Sequence, residues 1–336
     1  MILVTGGTGL VGSYLLHHLL SEGCEVKALH REGSSFEGTK RIFGYLNDSP
    51  ERLFERIQWV KGDMLDIHSL TEALSNVDEV YHCAAIVSFD PGERARMIQS
   101  NIEGTSNLVN ACLANGVKKL CHVSSIAALG RAENDGLIDE QTQWKASRNN
   151  SGYAISKYGA EREVWRGSAE GLQVVIVNPS VILGAGGPSQ SSVRLFYAIR
   201  KHSRFYTVGM NGYVDVRDVV KIMHKLMESS ITNKRFVLNS QNLTYHELFT
   251  LIAEYCKVTF PQIRIPRLAL SLAWRMEKLR SMFSGKLPLV TRETVRTSSN
   301  NYRYSADAVE KALNIEFIPI SQTIKDMCRF MKSDKI

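Results

Sequence analysis

The chain predicts an α/β fold: a doubly wound parallel sheet with helices on both faces, carrying a smaller, mostly helical C-terminal lobe. Three observations carry this. Short apolar runs of strand length alternate with helical spacings from residue 2 to about residue 240, the pattern of a parallel sheet with crossover helices. Glycines at 6, 9 and 12 stand between the first apolar run and the first helical pattern. And 336 residues, 44% apolar and 22% charged, supply a core for one large domain or two smaller ones.

Met1–Val4 is fully apolar, as a strand buried on both faces should be, and Thr5-Gly6-Gly7-Thr8-Gly9-Leu10-Val11-Gly12 follows at once. A helix then presents Leu15, Leu16, Leu19 and Leu20 on one side and ends near Gly23, before a second strand at Glu25–Leu29. In such a βαβ unit Gly6 and Gly9 let the backbone turn tightly against a pyrophosphate at the helix N-terminus, and Gly12 lets helix and strand pack closely. The unit therefore reads as a dinucleotide site of Rossmann type. At the end of the second strand, where a carboxylate would take a ribose 2′-hydroxyl, stand His30 and Arg31. A guanidinium suits a 2′-phosphate, so NADP(H) is preferred, with NAD as the alternative that Glu32 keeps open.

The alternation continues with strands at Ile57–Val60, Glu79–Cys83, Lys119–Ser124, Gln173–Val177 and Arg235–Leu238. Helices are expected at Leu65–Ser75, Ile98–Ala114, Tyr153 to about Ala169, and Val219–Met227 with Asp218 as its N-cap. Asp63, beyond the third strand, suits either an adenine amino group or a helix N-cap. Residues 1–180, joined by 213–240, make the dinucleotide-binding unit, and 181–336 the substrate-binding lobe. In that lobe Leu268, Leu272, Met276, Leu279 and Phe283 mark an amphipathic helix that either packs on the lobe, covers the substrate or lies on a membrane surface. The polar loop Arg131–Asn150, carrying Trp144, is long enough for a flap.

Between Lys257 and Tyr304 ten Lys/Arg face only Glu277 and Glu293, a net +8 against the whole chain's +7. Such a face can attract phosphorylated substrates or an anionic membrane surface, with a solvated face of a helical subdomain as the favoured reading; without a nucleic-acid motif, nucleic acid is not expected as a partner. The apolar runs are far shorter than the about 18 residues of a bilayer span, and the chain enters a strand at Ile2, so a cytoplasmic protein without membrane contact is expected. Cysteines 24, 83, 112, 121, 256 and 328 show no metal-ligand spacing and no disulfide frame, and are expected as buried thiols. The partner expected is a small-molecule substrate; a homodimer stays open.

Tyr153 and Lys157, four apart on one helix, project from the same face. At an effective dielectric near 20, an ammonium roughly 4 Å from a phenol favours phenolate by about 4 kcal/mol, enough to make the tyrosine a usable proton donor or acceptor near neutrality. Taken with Thr5-Gly6-x-x-Gly9-x-x-Gly12, Gly62-Asp63-Met64-x-Asp66, His82-x-Ala84-Ala85, Asn101-x-x-Gly104-Thr105, Val123-Ser124-Ser125 and Asn178-Pro179, this pair gives the chain a nearly full-length resemblance. It resembles the extended short-chain dehydrogenases/reductases of the NAD(P)-dependent epimerase/dehydratase superfamily.

The resemblance implies Ser125, five before Gly130, as donor to the substrate oxygen, Tyr153 as the group that passes the proton, and Lys157 as the residue that lowers the tyrosine pKa and holds the nicotinamide ribose. It implies Gly6, Thr8, Gly9, Leu10, Val11, Arg31, Asp63, Met64, Ala84 and Pro179, with Tyr153 and Lys157, as cofactor contacts, and Asn101 as a support. Ser124-Ser125-Ile126-Ala127 lacks the Thr-Asp-Glu of the sugar-nucleotide dehydratases, and the Gln-x-Arg of the epimerases is missing before Tyr213. The chain is more similar to the dihydroflavonol-4-reductase and 3β-hydroxysteroid-dehydrogenase-like branch, which implies an oxidoreductase acting on a carbonyl or hydroxyl of a small, largely apolar substrate. A nucleotide-sugar epimerase and a non-catalytic dinucleotide sensor are the alternatives.

Overall fold

The computed structural model describes all residues except 48, 89, 132–135, 148–149, 188–195, 198–204, 267–268, 271, 273, 277–279, 281–294, 296–297 and 334–336. Seven parallel strands form the main sheet: β1 (Ile2–Thr5), β2 (Val26–His30), β3 (Gln58–Lys61), β4 (Glu79–His82), β5 (Lys119–Val123), β6 (Gln173–Pro179) and β7 (Lys234–Leu238). Their order is β7-β6-β5-β4-β1-β2-β3, a doubly wound Rossmann sheet whose direction of progress reverses between β1 and β4, the place where such sheets bind ligands.

Alternation along the strands sorts the core into two layers. Val4, Ala28, Tyr81, Cys121 and Val175 pack with Leu15, Leu16 and Leu19 of α1 (Leu10–Ser21). Leu3, Leu29, Val80, Leu120 and Val174 face the opposite way, against Leu108 of α5 (Arg94–Ala114) and Val164 of α6 (Gly152–Ala169). Between these helices lie α2 (Glu37–Leu46), α3 (Pro50–Phe54) and α4 (Ile67–Ala73).

After β6 the chain leaves the sheet and comes back. Val181–Leu183, Met210–Asp215 and Gln241–Thr244 form a three-stranded sheet, and α7 (Val216–Glu228) then packs its apolar face, Val219, Met223 and Leu226, into the α1 layer. Lys119, at the start of β5, is buried and donates from Nζ to the carbonyls of Leu226 (2.7 Å), Met227 (3.2 Å) and Ser229 (2.7 Å), so an ammonium closes the negative end of α7. A separate core gathers Leu183, Tyr213, Leu248, Ile252, Ile324 and Met331. It draws on α8 (Tyr245–Cys256), opened by a Thr244/Glu247 capping box, and on the last helix, α10 (Ile320–Ser333), whereas Val309 of α9 (Asp307–Leu313) joins the α1 layer.

Several expectations need correcting. Asp215, not Asp218, caps α7, accepting from the Arg217 amide at 2.8 Å. Asp218 lies inside the first turn, where its carboxylate takes the distant amide of Ile318 at 2.8 Å and burial pushes its pKa up to about 6. Cys256 and Cys328 are not thiols but a disulfide joining α8 to α10. Cys112 and Cys121 are buried thiols as expected, while Cys24 and Cys83 are half-buried. Of the amphipathic stripe in the lobe, Leu272 and Met276 are 59% and 63% exposed, whereas Leu270, which is not part of the stripe, is buried; Leu268, Leu279 and Phe283 lie outside the described residues. The 131–150 loop is pinned where it is described, through pairing of Leu137–Ile138 with Arg303–Tyr304 and stacking of Trp144 on Tyr158 of α6 at 4.4 Å. Among the described residues no helix is long and apolar enough to cross a membrane.

Candidate active site

The glycine loop is built by contact with its neighbours. Gly6 sits at φ +72°, a backbone only glycine adopts without strain, and a Cβ there would lie 2.7 Å from the Ala84 amide nitrogen. The Gly9 amide donates back to the Gly6 carbonyl at 3.0 Å, and α1 begins at Leu10 with no side chain capping it. First-turn amides of a helix have no acceptor within it, so those of Leu10, Val11 and Gly12 face the crevice with the positive end of the helix dipole behind them. A Cβ on Gly12 would overlap the Gly6 carbonyl oxygen. Thr8 is half-buried and Gly9 exposed beside this opening. The loop fits a pyrophosphate, and Gly6, Thr8, Gly9, Leu10 and Val11 are brought together.

The crevice floor is set by His82, which bridges Thr5 Oγ1 (2.8 Å) and Thr105 Oγ1 (3.0 Å) and is pushed down to about 3 by burial, with the Lys157 ammonium adding to the effect. It is therefore a neutral strut. Thr5 Oγ1 also accepts from the Ala84 amide at 3.2 Å, which sets Ala84 against Gly6.

At the far rim Arg31 is exposed at the end of β2. His30 beside it is used internally, its ring at 3.1 Å from the Arg31 carbonyl through Nδ1 and edge-on to Phe36. Glu32 pairs with Lys61 at 3.0 Å. Lys61 is in register with His30 across β2 and β3; it is a second cation at this rim, which sequence reasoning missed because nothing local reveals the pairing. Asp63 is exposed, its Oδ1 accepting from the Leu65 amide at 2.9 Å, whereas α4 is capped by Asp66. The helix-cap reading of Asp63 thus passes to Asp66. Met64 is held by Asn107, which donates to its carbonyl at 3.1 Å.

The N-terminal end of α6 docks on the end of β5: Lys157 Nζ, buried, donates to the Val123 carbonyl at 2.9 Å. Burial pushes Lys157 down to about 8, against the upward pull of Cys83 and Glu161. Tyr153 is one turn earlier, half-buried, and its carbonyl accepts from Ser156 Oγ at 2.9 Å. Two residues past Val123, Ser125 caps a short 3₁₀ turn, its Oγ accepting from the Ala127 amide at 3.1 Å. That bond uses a lone pair and leaves the hydroxyl proton to be donated. Asn101 braces the region on both sides, bonding the amide (2.8 Å) and carbonyl (2.9 Å) of Ile86 and Ser156 Oγ (3.0 Å). Pro179 ends β6 at the same edge.

The family model for the NAD dependent epimerase/dehydratase family matches residues 2–238. A protein of Synechocystis sp. provisionally named dihydroflavonol 4-reductase is 27% identical, over 98% of this chain and 94% of its own. Cinnamoyl-CoA reductase 1 of Petunia hybrida is 25% identical, over 99% and 92%. Among solved structures, that of gox2253 superposes with a TM-score of 0.81 at 26% identity, covering 99% of this chain and 98% of that one.

Proposed function

The chain belongs to the NAD dependent epimerase/dehydratase family, and from its site we propose an NADP(H)-dependent oxidoreductase acting on a carbonyl or hydroxyl of a small, largely apolar substrate. The observation that carries this reading is the docking of Lys157 on Val123, which sets the helix bearing Tyr153 beside the turn bearing Ser125.

In this reading Ser125 donates its free proton to the substrate oxygen, where negative charge grows during reduction, and Tyr153 delivers the proton that neutralises it. Lys157 keeps a positive charge near the phenol and so eases its ionisation. The dinucleotide, when bound, supplies the hydride chemistry. Gly6, Thr8, Gly9, Leu10 and Val11 would hold its pyrophosphate, Asp63 and Met64 its adenine end, and Ala84 and Pro179 would leave it room. Arg31 would meet a 2′-phosphate, and the Glu32–Lys61 pair supports this by neutralising the one carboxylate beside it. The apolar substrate is supported by Arg217, the cation nearest the missing diphosphate arginine, whose charge is spent on Asp215 (2.6 Å) and Asp326 (2.9 Å).

We read 1–180 with 213–240 as the dinucleotide unit and 181–336 as the substrate lobe; the separate core around Leu248 and Ile324 supports the division. The cytoplasm is the proposed compartment. Every residue named above comes from one chain, so the proposal requires no second copy.

The test is a panel of dihydroflavonols and cinnamaldehydes followed by NADPH absorbance, with nucleotide sugars alongside followed by chromatographic separation of their epimers, because epimerisation consumes no net NADPH. Turnover of a ketone or aldehyde is expected, with NADPH bound at least about tenfold more tightly than NADH, the roughly 1.4 kcal/mol that one charge-assisted contact provides. Equal affinities in a fluorescence titration would remove Arg31 from its role, and turnover of nucleotide sugars alone would replace the reductase by an epimerase.

A further inference from the structure

Ser124 and Ser125 are adjacent hydroxyls at the end of β5, and both are buried. Neighbours on extended backbone point to opposite sides, so something must decide which of the two faces the substrate. Glu161 lies on α6 one turn beyond Lys157 and two beyond Tyr153. It is only 2% exposed, and a carboxylate so buried is costly unless several donors meet it. Four do: Ser124 Oγ (2.6 Å) and Asn178 Nδ2 (2.8 Å) reach Oε2, and Arg235 Nη1 (3.0 Å) and Trp165 Nε1 (3.3 Å) reach Oε1. An acceptor-only group is the one side-chain type that satisfies all four.

We propose that Glu161 is the positioning residue of this site: it occupies the Ser124 hydroxyl and, through Asn178, fixes the backbone of Ser125, leaving Ser125 as the serine that donates to substrate. The link is continuous, because Asn178 Nδ2 also donates to the Ser125 carbonyl at 3.0 Å. Asn178 cannot turn over, since its carbonyl would then face the carboxylate; it keeps its Oδ1 buried without a partner instead. The inference rests on the reductase reading for what Ser125 does, not for how Ser125 is held.

The same carboxylate works on Lys157. The groups around that ammonium are His82 from β4 and Cys83 just beyond it, His122 from β5, and Glu161 on its own helix, where Tyr153 stands one turn earlier. Cys83 and Glu161 raise its pKa. Removing the Glu161 charge therefore lets Lys157 lose its proton at lower pH.

The test compares Glu161→Gln, Glu161→Asp and Arg235→Met, using cinnamaldehyde or dihydroquercetin, whichever wild type reduces, and crystal structures of wild type and Glu161→Gln. In Glu161→Gln the amide donor faces Asn178 or Arg235. The kcat is expected to fall about ten- to a hundredfold, as when a reacting group moves by roughly 1 Å. KM should stay within about threefold, and the alkaline limb of the pH profile should move down. Glu161→Asp, which keeps the charge, should recover the limb. Arg235→Met should lower thermal stability while leaving most of kcat and the pH profile. If Arg235→Met reproduces both changes, Glu161 is a structural ion-pair residue and the proposal fails. If wild type reduces neither carbonyl, the reductase reading fails, and the structures alone decide the inference: a Ser124 released from residue 161 and a displaced Ser125 support it, an unmoved Ser125 overturns it.

Discussion

Tyr153→Phe is expected to lower single-turnover carbonyl reduction by roughly 10²–10⁴-fold, the range that a positioned general acid supplies. The ring stays, so the first turn of α6 and its packing should be retained, as should most of the NADPH affinity. What disappears is one hydroxyl on a residue placed one turn before a buried ammonium. Ser125→Ala should cost a similar factor, and the double variant less than the product, because both groups act on one oxygen. A Tyr153→Phe rate within about threefold of wild type would remove the tyrosine from the chemistry. A dinucleotide sensor would have no turnover to lose.

Gly12→Ala should have the second large effect. The added Cβ meets backbone rather than a flexible side-chain tip: the Gly6 carbonyl, and Gly7 Cα at 2.8 Å. Neither can yield unless α1 moves off the loop. Overpacking of this kind costs about 1–3 kcal/mol, and here it moves the amides that would hold a pyrophosphate, so NADPH affinity should fall about ten- to a hundredfold along with thermal stability. Gly23→Ala is the control. Gly23 has φ +86° and nothing within 4 Å of a Cβ, so alanine there should lower stability by about 1 kcal/mol through its backbone alone. If Gly12→Ala binds NADPH like wild type in a fluorescence titration, the loop is not the pyrophosphate site.

How far the sequence could be read follows the range of the forces involved. The strands of the main sheet fall within a residue or two of their expected limits: in β1 and β6 burial on both faces writes itself as an apolar run, and even edge strand β3, exposed at Gln58 and Lys61, keeps Trp59 and Val60 between them. Tyr153 and Lys157 share a helix face because four residues make about one turn. α7 starts three residues before the expected Val219, since Asp215 and Asp218 are equally good caps in sequence and only the amide of Ile318, a hundred residues on, claims the second. The disulfide joins cysteines 72 residues apart, through the packing of α8 on α10. Glu161 reads as an ordinary helical glutamate. Its four donors come from the residue after β5, from β6, from β7 and from its own helix, and only the assembled sheet brings them together.

Lys119 and the late return of α7 and β7 bear on how the protein is made. A chain leaving the ribosome N-terminus first can pair β1 to β6 in turn, yet β6 then ends the sheet as a bare apolar edge, the kind that pairs with the wrong neighbour. The Lys119 ammonium meanwhile faces the emptied α1 layer without the three carbonyls that would receive it. The second condition lasts until residue 229 is out, and the first until residue 238. The second half of the translation product thus closes the dinucleotide unit that the first half began. A fragment ending at 184 should accumulate insolubly or on chaperones, and one ending at 240 should stay in solution; equal solubility of the two would mean that β6 needs no protection during synthesis.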